Sequence, residues 1–360
     1  AGLGPLVGGA LLEVLWYGSV FLVSLPVVVA ALVAGHFVVP ESSDPDAPKV
    51  DARGAVLSTL GIVALVYGIQ TGPADGWLEW YVLGGLVCGV LLLLAFVRYE
   101  RSTEHPLLNI DFFKERAFNS GAIAISMVFF ALFAILFFST QFLQTVQGLT
   151  ALEAGLVTAA LAFAAGAASS AAPRVVARLG ARDVVLAGMA TVAVGLVFAG
   201  LWPADATSAF VILTGVVFGL GAGFVIAPAT SAIMDGVPEQ QAGVGSSVSS
   251  VTRQVGGAIG IAILASIQAS QYTDRVKQQL TGAPSGPVEV ASDSVAGAHR
   301  IASELGGAKG LQLVDVANAA FVEGMHLALF IGAGLVAITT VFLAWYMSPD
   351  AETPEAPGSA

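Results

Sequence analysis

Charge is scarce in this chain of 360 residues: Asp, Glu, Lys and Arg make up 11% of it, against roughly 25% in a soluble domain. With 56% hydrophobic residues, that shortage excludes an ordinary water-soluble fold. Cysteine is nearly absent. The single one, Cys88, lies in an apolar run, which rules out an intrachain disulfide and a cysteine-based metal site. No Gly-x-x-x-x-Gly-Lys-Ser/Thr loop occurs, so ATP is not expected to power the protein directly. The apolar stretches hold neither a Ser-His-Asp set nor a His/Cys/Glu metal cluster, so no enzyme, cofactor or metal is expected. The net charge of −11 offers no footprint for nucleic acid. Position 1 is Ala rather than Met, inside an apolar Gly-rich stretch with no signal peptide, and reads as a cut end.

What is present is long apolar sequence. A bilayer-crossing helix needs about 20 apolar residues, and about ten such segments follow one another. The first is a remnant, 1–12. The others are 17–38, 53–71, 79–97, 118–143, 151–172, 183–201, 208–234, 243–267 and 319–347. All are expected to be helices, because lipid offers no water to unpaired backbone groups. The class is an all-α polytopic membrane protein. Glycine, 42 residues in all, is spread through the spans rather than massed in linkers, as membrane helices tolerate. The segment 269–318 reads as a large outer loop in which 292–305 is suited to short amphipathic helices at the interface. The tail 348–360 is Pro- and Glu-rich and is expected to be disordered.

Basic residues set the orientation. Lys49, Arg53, Arg98, Arg101, Lys114, Arg116, Arg174, Arg178 and Arg182 all fall in alternate short loops, whereas 72–78, 144–150 and 202–207 carry none. The basic side is expected to be cytoplasmic.

Within the spans, polar residues mark candidate sites. Arg253 lies about ten residues inside an uncharged stretch, where a charge must line a protein interior or a wet cavity. It is followed by Gln254 and by Gly256, Gly257 and Gly260. An interhelical clamp and a cavity residue that tunes a carboxylate are both open readings. Glu323 and His326, three apart, share a helix face in the last span; a headgroup-level position is the alternative to a proton or cation site. Gln141 and Gln144 sit near a helix end, at the interface or lining a cavity. Gly4 and Gly8 share a face on which a neighbouring backbone approaches closely, with Pro5 permitting a bend and Gly9 alongside. Simple packing and a hinge are the two readings there.

Several motifs carry a resemblance. Gly4-Pro5-x-x-Gly8-Gly9, followed by Trp16, Phe21 and Pro26, resembles the antiporter motif in the fifth helix of major facilitator superfamily drug exporters, and 39–42 looks like the end of their sixth helix. Gln141 to Gly155 is similar to a turn of the 14-helix drug–proton antiporter branch, the quaternary-ammonium exporter type. Pro173 to Arg182 resembles the second copy of the superfamily's Gly-x-x-x-Asp-Arg-x-Gly-Arg-Arg loop: Arg178, Gly180 and Arg182 match, while Ala177 stands where the Asp belongs. Val237-Pro238, Ala242-Gly243 and Arg253 to Gly260 look like that branch's thirteenth helix. Pro106 to Leu108 and Asp111 to Phe113 also fit it.

The resemblance implies a major facilitator fold of which the chain holds about ten of fourteen helices. Residues 1–38 would end the amino-terminal bundle, 39–117 would hold two linker helices and a cytoplasmic connection, and 118–347 would form the carboxy-terminal six-helix bundle. It implies a multi-pass protein of the cell membrane that exports hydrophobic or cationic drugs in exchange for protons. Its partners would be the bilayer, protons and a lipophilic substrate. Arg178, Gly180 and Arg182 would belong to a cytoplasmic gating loop that lacks its acid. Proton-coupling residues would precede residue 1, so the chain by itself is not expected to transport. A non-transporting fragment or scaffold, or a transporter of an amino acid, lipid or siderophore, stands as the alternative. Composition says nothing of oligomeric state.

Overall fold

The computed structural model describes residues 4–38, 51–103, 110–238, 242–280 and 285–347, and these are helical with short turns. The readings placed on 1–3, 39–42, Lys49, 106–108 and the tail 348–360 lie outside the described residues. Among the described residues, nine helices are long and apolar enough to cross a membrane. They match the nine full spans expected. The remnant is the short α1 (Gly4–Val14), 11 residues long.

α1, α2 (Ser19–Leu22) and α3 (Ser24–Val38) stand at the edge of the structure. α3 buries none of its residues, and its apolar side chains are suited only to lipid or other helices. α4 (Ala52–Asp75) and α5 (Trp80–Glu100) form an antiparallel hairpin. Asp51 caps α4 by accepting from the Arg53 and Gly54 amides, and Tyr99 donates to the same carboxylate at 3.1 Å, tying the hairpin's open end. Gly61 packs on Leu93, Gly68 on Leu86 and Gly89 on Leu65, a constant antiparallel register. α4 also leans on α10 (Ala242–Gln279).

Six long helices make the main body: α6 (Arg116–Gln141), α7 (Ala151–Leu179), α8 (Ala181–Ala199), α9 (Ser208–Asp235), α10 and α13 (Gly307–Tyr346). α9 is central, packing on α6, α7, α8 and α10. Lipid gives apolar helices no drive to associate, so close backbone approach must hold them. Gly219 and Gly223, four apart, lie against the Leu161 and Ala165 carbonyls of α7, and Gly221 meets Gly188 of α8. Gly256 and Gly260 of α10 lie against the Ser126 and Phe130 carbonyls of α6. A β-carbon at any of these would collide with backbone. The glycine-rich runs 215–223 and 256–260, whose composition fits sliding helix interfaces, thus hold close backbone contacts at Gly219, Gly221, Gly223, Gly256 and Gly260, while Gly215 has ordinary clearance from Leu161. Phe118, Phe138, Phe142, Phe218 and Phe321 fill the space between them, fully buried.

Segment 269–318 differs from an open loop. α10 runs on to Gln279, α11 (Ser285–Asp293) and α12 (Val295–Leu305) follow, and α13 begins at Gly307. The amphipathic stretch expected over 292–305 is α12, but its apolar face is covered by protein: Val295, Ala298 and Ala302 are buried in one cluster with Leu313 and Ala317. Tyr272 donates to the Ala291 carbonyl at 2.8 Å and Thr273 to that of Ser292 at 2.9 Å. His299 Nε2 lies 2.8 Å from Asn318 Oδ1. At 1.5 Å per residue, the 38 residues of α10 and 40 of α13 reach well past a core of about 30 Å. The two helices are longer than such a core and carry α11 and α12 between them.

Candidate functional site

Arg253 is brought to the meeting point of α6, α9 and α10. Its Nη2 donates to Thr230 Oγ1 at 3.0 Å, and its guanidinium carbon lies 5.5 Å from the centre of the Phe129 ring. Thr230 donates in turn to the Ile226 carbonyl at 2.6 Å, which orients its lone pairs toward the arginine. Nε is buried and makes no hydrogen bond. No carboxylate pairs with Arg253 among the described residues. The expected tuning of a carboxylate thus has no carboxylate here; a hydroxyl and a ring hold the charge. A cation over an aromatic face gains about 2 kcal/mol when desolvated, and a hydrogen bond to a charged group about 1.5–3 kcal/mol. The buried Nε–H is left without an acceptor. Gln254 points elsewhere and is exposed.

Glu323 and His326 do not act together. Glu323 is exposed and pairs with Arg275 Nε of α10 at 2.8 Å. His326 turns to the α8–α9 connection, its Nε2 at 2.7 Å from the Trp202 carbonyl. That oxygen only accepts, so Nε2 carries the hydrogen. Trp202 is itself buried, donating from Nε1 to Thr214 Oγ1 at 3.1 Å. His326 therefore ties α13 to this turn.

At the end of α6 next to α7, a π-helical turn, Phe142–Val146, begins directly after Gln141 and includes Gln144. The wider turn breaks the α-helical register that would align them; Gln141 is half-buried and Gln144 exposed. The working amide in this motif is Gln147, whose Nε2 donates to the Ala206 carbonyl at 2.6 Å. Its signal in the sequence was its place beside Gly148, whose φ of +69° makes the turn. Thr150 and Glu153 then cap α7 reciprocally.

At the opposite ends of the helices, Gly180 has φ +83° and joins α7 to α8. Arg182 donates to the carbonyls of Met347 at 2.9 Å and Ala344 at 2.8 Å, neutralising the last turn of α13. Arg178 and Ala177 are exposed. Of the first motif, only Gly9 makes a contact that requires glycine. It is buried, and a β-carbon there would lie 2.6 Å from the Ala151 carbonyl at the start of α7. Gly8 has ordinary clearance from Val20, Gly4 is open, and Pro5 lies in the first turn of α1. Gly9 is thus a close-contact point between α1 and the six-helix body.

A profile of the Major Facilitator Superfamily matches residues 1–261. The chain is 34% identical to the multidrug efflux pump LfrA of Mycolicibacterium smegmatis over 334 residues, covering 93% of this chain and 66% of that protein. It is 29% identical to the multidrug resistance protein Stp of Mycobacterium tuberculosis, covering 96% and 66% respectively. It is 31% identical to the tetracenomycin C resistance and export protein of Streptomyces glaucescens, covering 98% and 67%. The chain thus spans about two thirds of the length of these relatives. Among solved structures, a bacterial homologue of the human lysosomal transporter Spinster, inward-facing and unoccupied, shares the fold with a TM-score of 0.50 at 13% identity, over 82% of this chain and 67% of its own. The motifs, the nine spans and these matches converge: the chain belongs to the Major Facilitator Superfamily, as a multi-pass protein of the cell membrane.

Proposed function

We propose that the protein exports hydrophobic and cationic compounds across the cell membrane in exchange for protons, by transport rather than bond-making chemistry. The observation that carries this reading is the 34% identity to a multidrug efflux pump over 93% of the chain. The site geometry supports it. A fixed positive charge at Arg253, half-buried and set against Phe129, leaves an aromatic, weakly polar surround suited to bulky apolar molecules. Alternating access rocks one bundle against another. The contact of Gly9 with the start of α7 is suited to a pivot between them, because small residues let surfaces shift without side chains unlocking. Inside the six-helix body the glycine seams keep the helices together as a unit that moves whole.

Everted membrane vesicles containing the full-length protein, with the proton-coupling helices that the resemblance places before residue 1, test this reading. Energised vesicles are expected to take up ethidium, and a protonophore is expected to abolish the uptake. Uptake that survives the protonophore, or none above vesicles lacking the protein, rejects proton-driven export.

A further inference from the structure

The outer ends of α10 and α13 enclose a groove of about 260 Å³ that the export reading does not use. Arg275 and Gln279 form one wall; Asp315, Val316, Ala319, Ala320 and Glu323 form the other. On α13 the two acids are eight residues apart, about 12 Å along the axis, with the small apolar patch of Val316, Ala319 and Ala320 between them. Arg275 pairs with Glu323 at 2.8 Å, with side-chain exposures of 49% and 55%. Asp315 has no ion-pair partner among the described residues.

We propose that this groove binds a lipophilic organic monocation, which takes the place of the Arg275 guanidinium on Glu323. Two carboxylates face one guanidinium, so the lining carries one negative charge in excess. An apolar floor lies between the acids, so a ligand with an apolar body and a single positive charge satisfies both features. Val316, Ala319 and Ala320 leave room that larger side chains would occupy. An ion pair this exposed contributes little to the fold, so an incoming cation exchanges with the guanidinium at small cost. The site lies at the outer end of the molecule, some 22 residues along α10 from Arg253, about 33 Å away at 1.5 Å per residue. It is therefore separate from the Arg253 region. The class of cation rests on the export reading; the binding itself does not.

The test uses a thiol reporter in the full chain. Cys88→Ser removes the exposed native cysteine, and Val316→Cys places a thiol in the groove; Ala319→Cys, at an exposed position, serves as a second reporter. Maleimide labelling is timed in detergent, with no proton gradient, while tetraphenylphosphonium is added. Labelling is expected to slow at least threefold. The half-protecting concentration is expected to rise at least fivefold in Asp315→Asn combined with Glu323→Gln. It is expected to fall about threefold in Arg275→Gln, where both acids are released to the ligand. The neutral triphenylphosphine oxide is expected not to protect. Absent protection, equal protection by the neutral compound, or weaker protection in Arg275→Gln overturns the proposal. Protection that persists in Arg253→Met protein unable to take up ethidium supports it, and shows that this site and the export reading fail separately.

Discussion

Arg253 and Arg275 stand on the same helix and meet opposite surroundings. Arg253 lies between helices, held by the Thr230 hydroxyl and the Phe129 ring, with a buried Nε that has no partner. Arg275 lies at an open groove, held by a carboxylate and facing water. Both regions are packed through glycines, and Gly324 lies against the Gln268 carbonyl beside the groove, but the Arg275–Glu323 pair itself is half-exposed with room to move. A charge in the inner region needs neighbours of fixed geometry, since water cannot relieve it. A charge in the outer region can change partners. Rigid positioning and easy exchange are thus assigned to the two ends of one helix.

Substitutions at the two ends sharpen or break this contrast. Gly256→Leu sets a side chain against the Ser126 carbonyl and is expected to cost about 3 kcal/mol or more, read as a lower midpoint of thermal unfolding in detergent. Ala319→Leu, in the outer groove, is expected to change that midpoint little. Equal losses would erase the contrast. Thr230→Val removes the hydrogen-bond partner of Arg253 while keeping shape, and is expected to cost about 2 kcal/mol, because the guanidinium loses an acceptor it cannot replace. Arg182→Ala releases the last carbonyls of α13 and is expected to cost about 1–2 kcal/mol. Arg182→Lys should recover only part of that, since an ammonium does not reproduce the guanidinium fork. Glu323→Gln is expected to cost at most about 0.5 kcal/mol, because the pair it breaks is half-exposed and screened by water.

Much of the architecture was legible in the sequence because a span needs only length and apolarity to declare itself. The segment 269–318 was less so. Its Ala, Ser and Gly content reads as loop, and the spacing of Val295, Ala298 and Ala302 acquires meaning only when Leu313 and Ala317 are seen to cover it. The site divides in the same way. The depth of Arg253 was visible, but Thr230 and Phe129 come from other helices, and no local period points to them. Glu323 and His326 suggested a pair by spacing, yet partners from α10 and from the α8–α9 turn drew them apart. Gln141 and Gln144 suggested a shared face, but Gln144 falls within a π-helical turn that begins just after Gln141. Spacing along one helix gives direction, and the neighbouring helices decide the partner. Gly180, by contrast, was readable from its motif, because a turn with φ +83° admits little else.

The most direct test of the account is Arg253→Met in the full-length protein in everted vesicles, with ethidium uptake and thermal unfolding measured on the same preparation. An apolar chain of similar reach replaces a charge that makes one hydrogen bond, so the fold is expected to remain within about 1 kcal/mol of the parent, while proton-driven uptake falls at least tenfold. Parental uptake by a stable Arg253→Met protein would contradict the claim that this arginine serves transport, and would leave it as a clamp between helices.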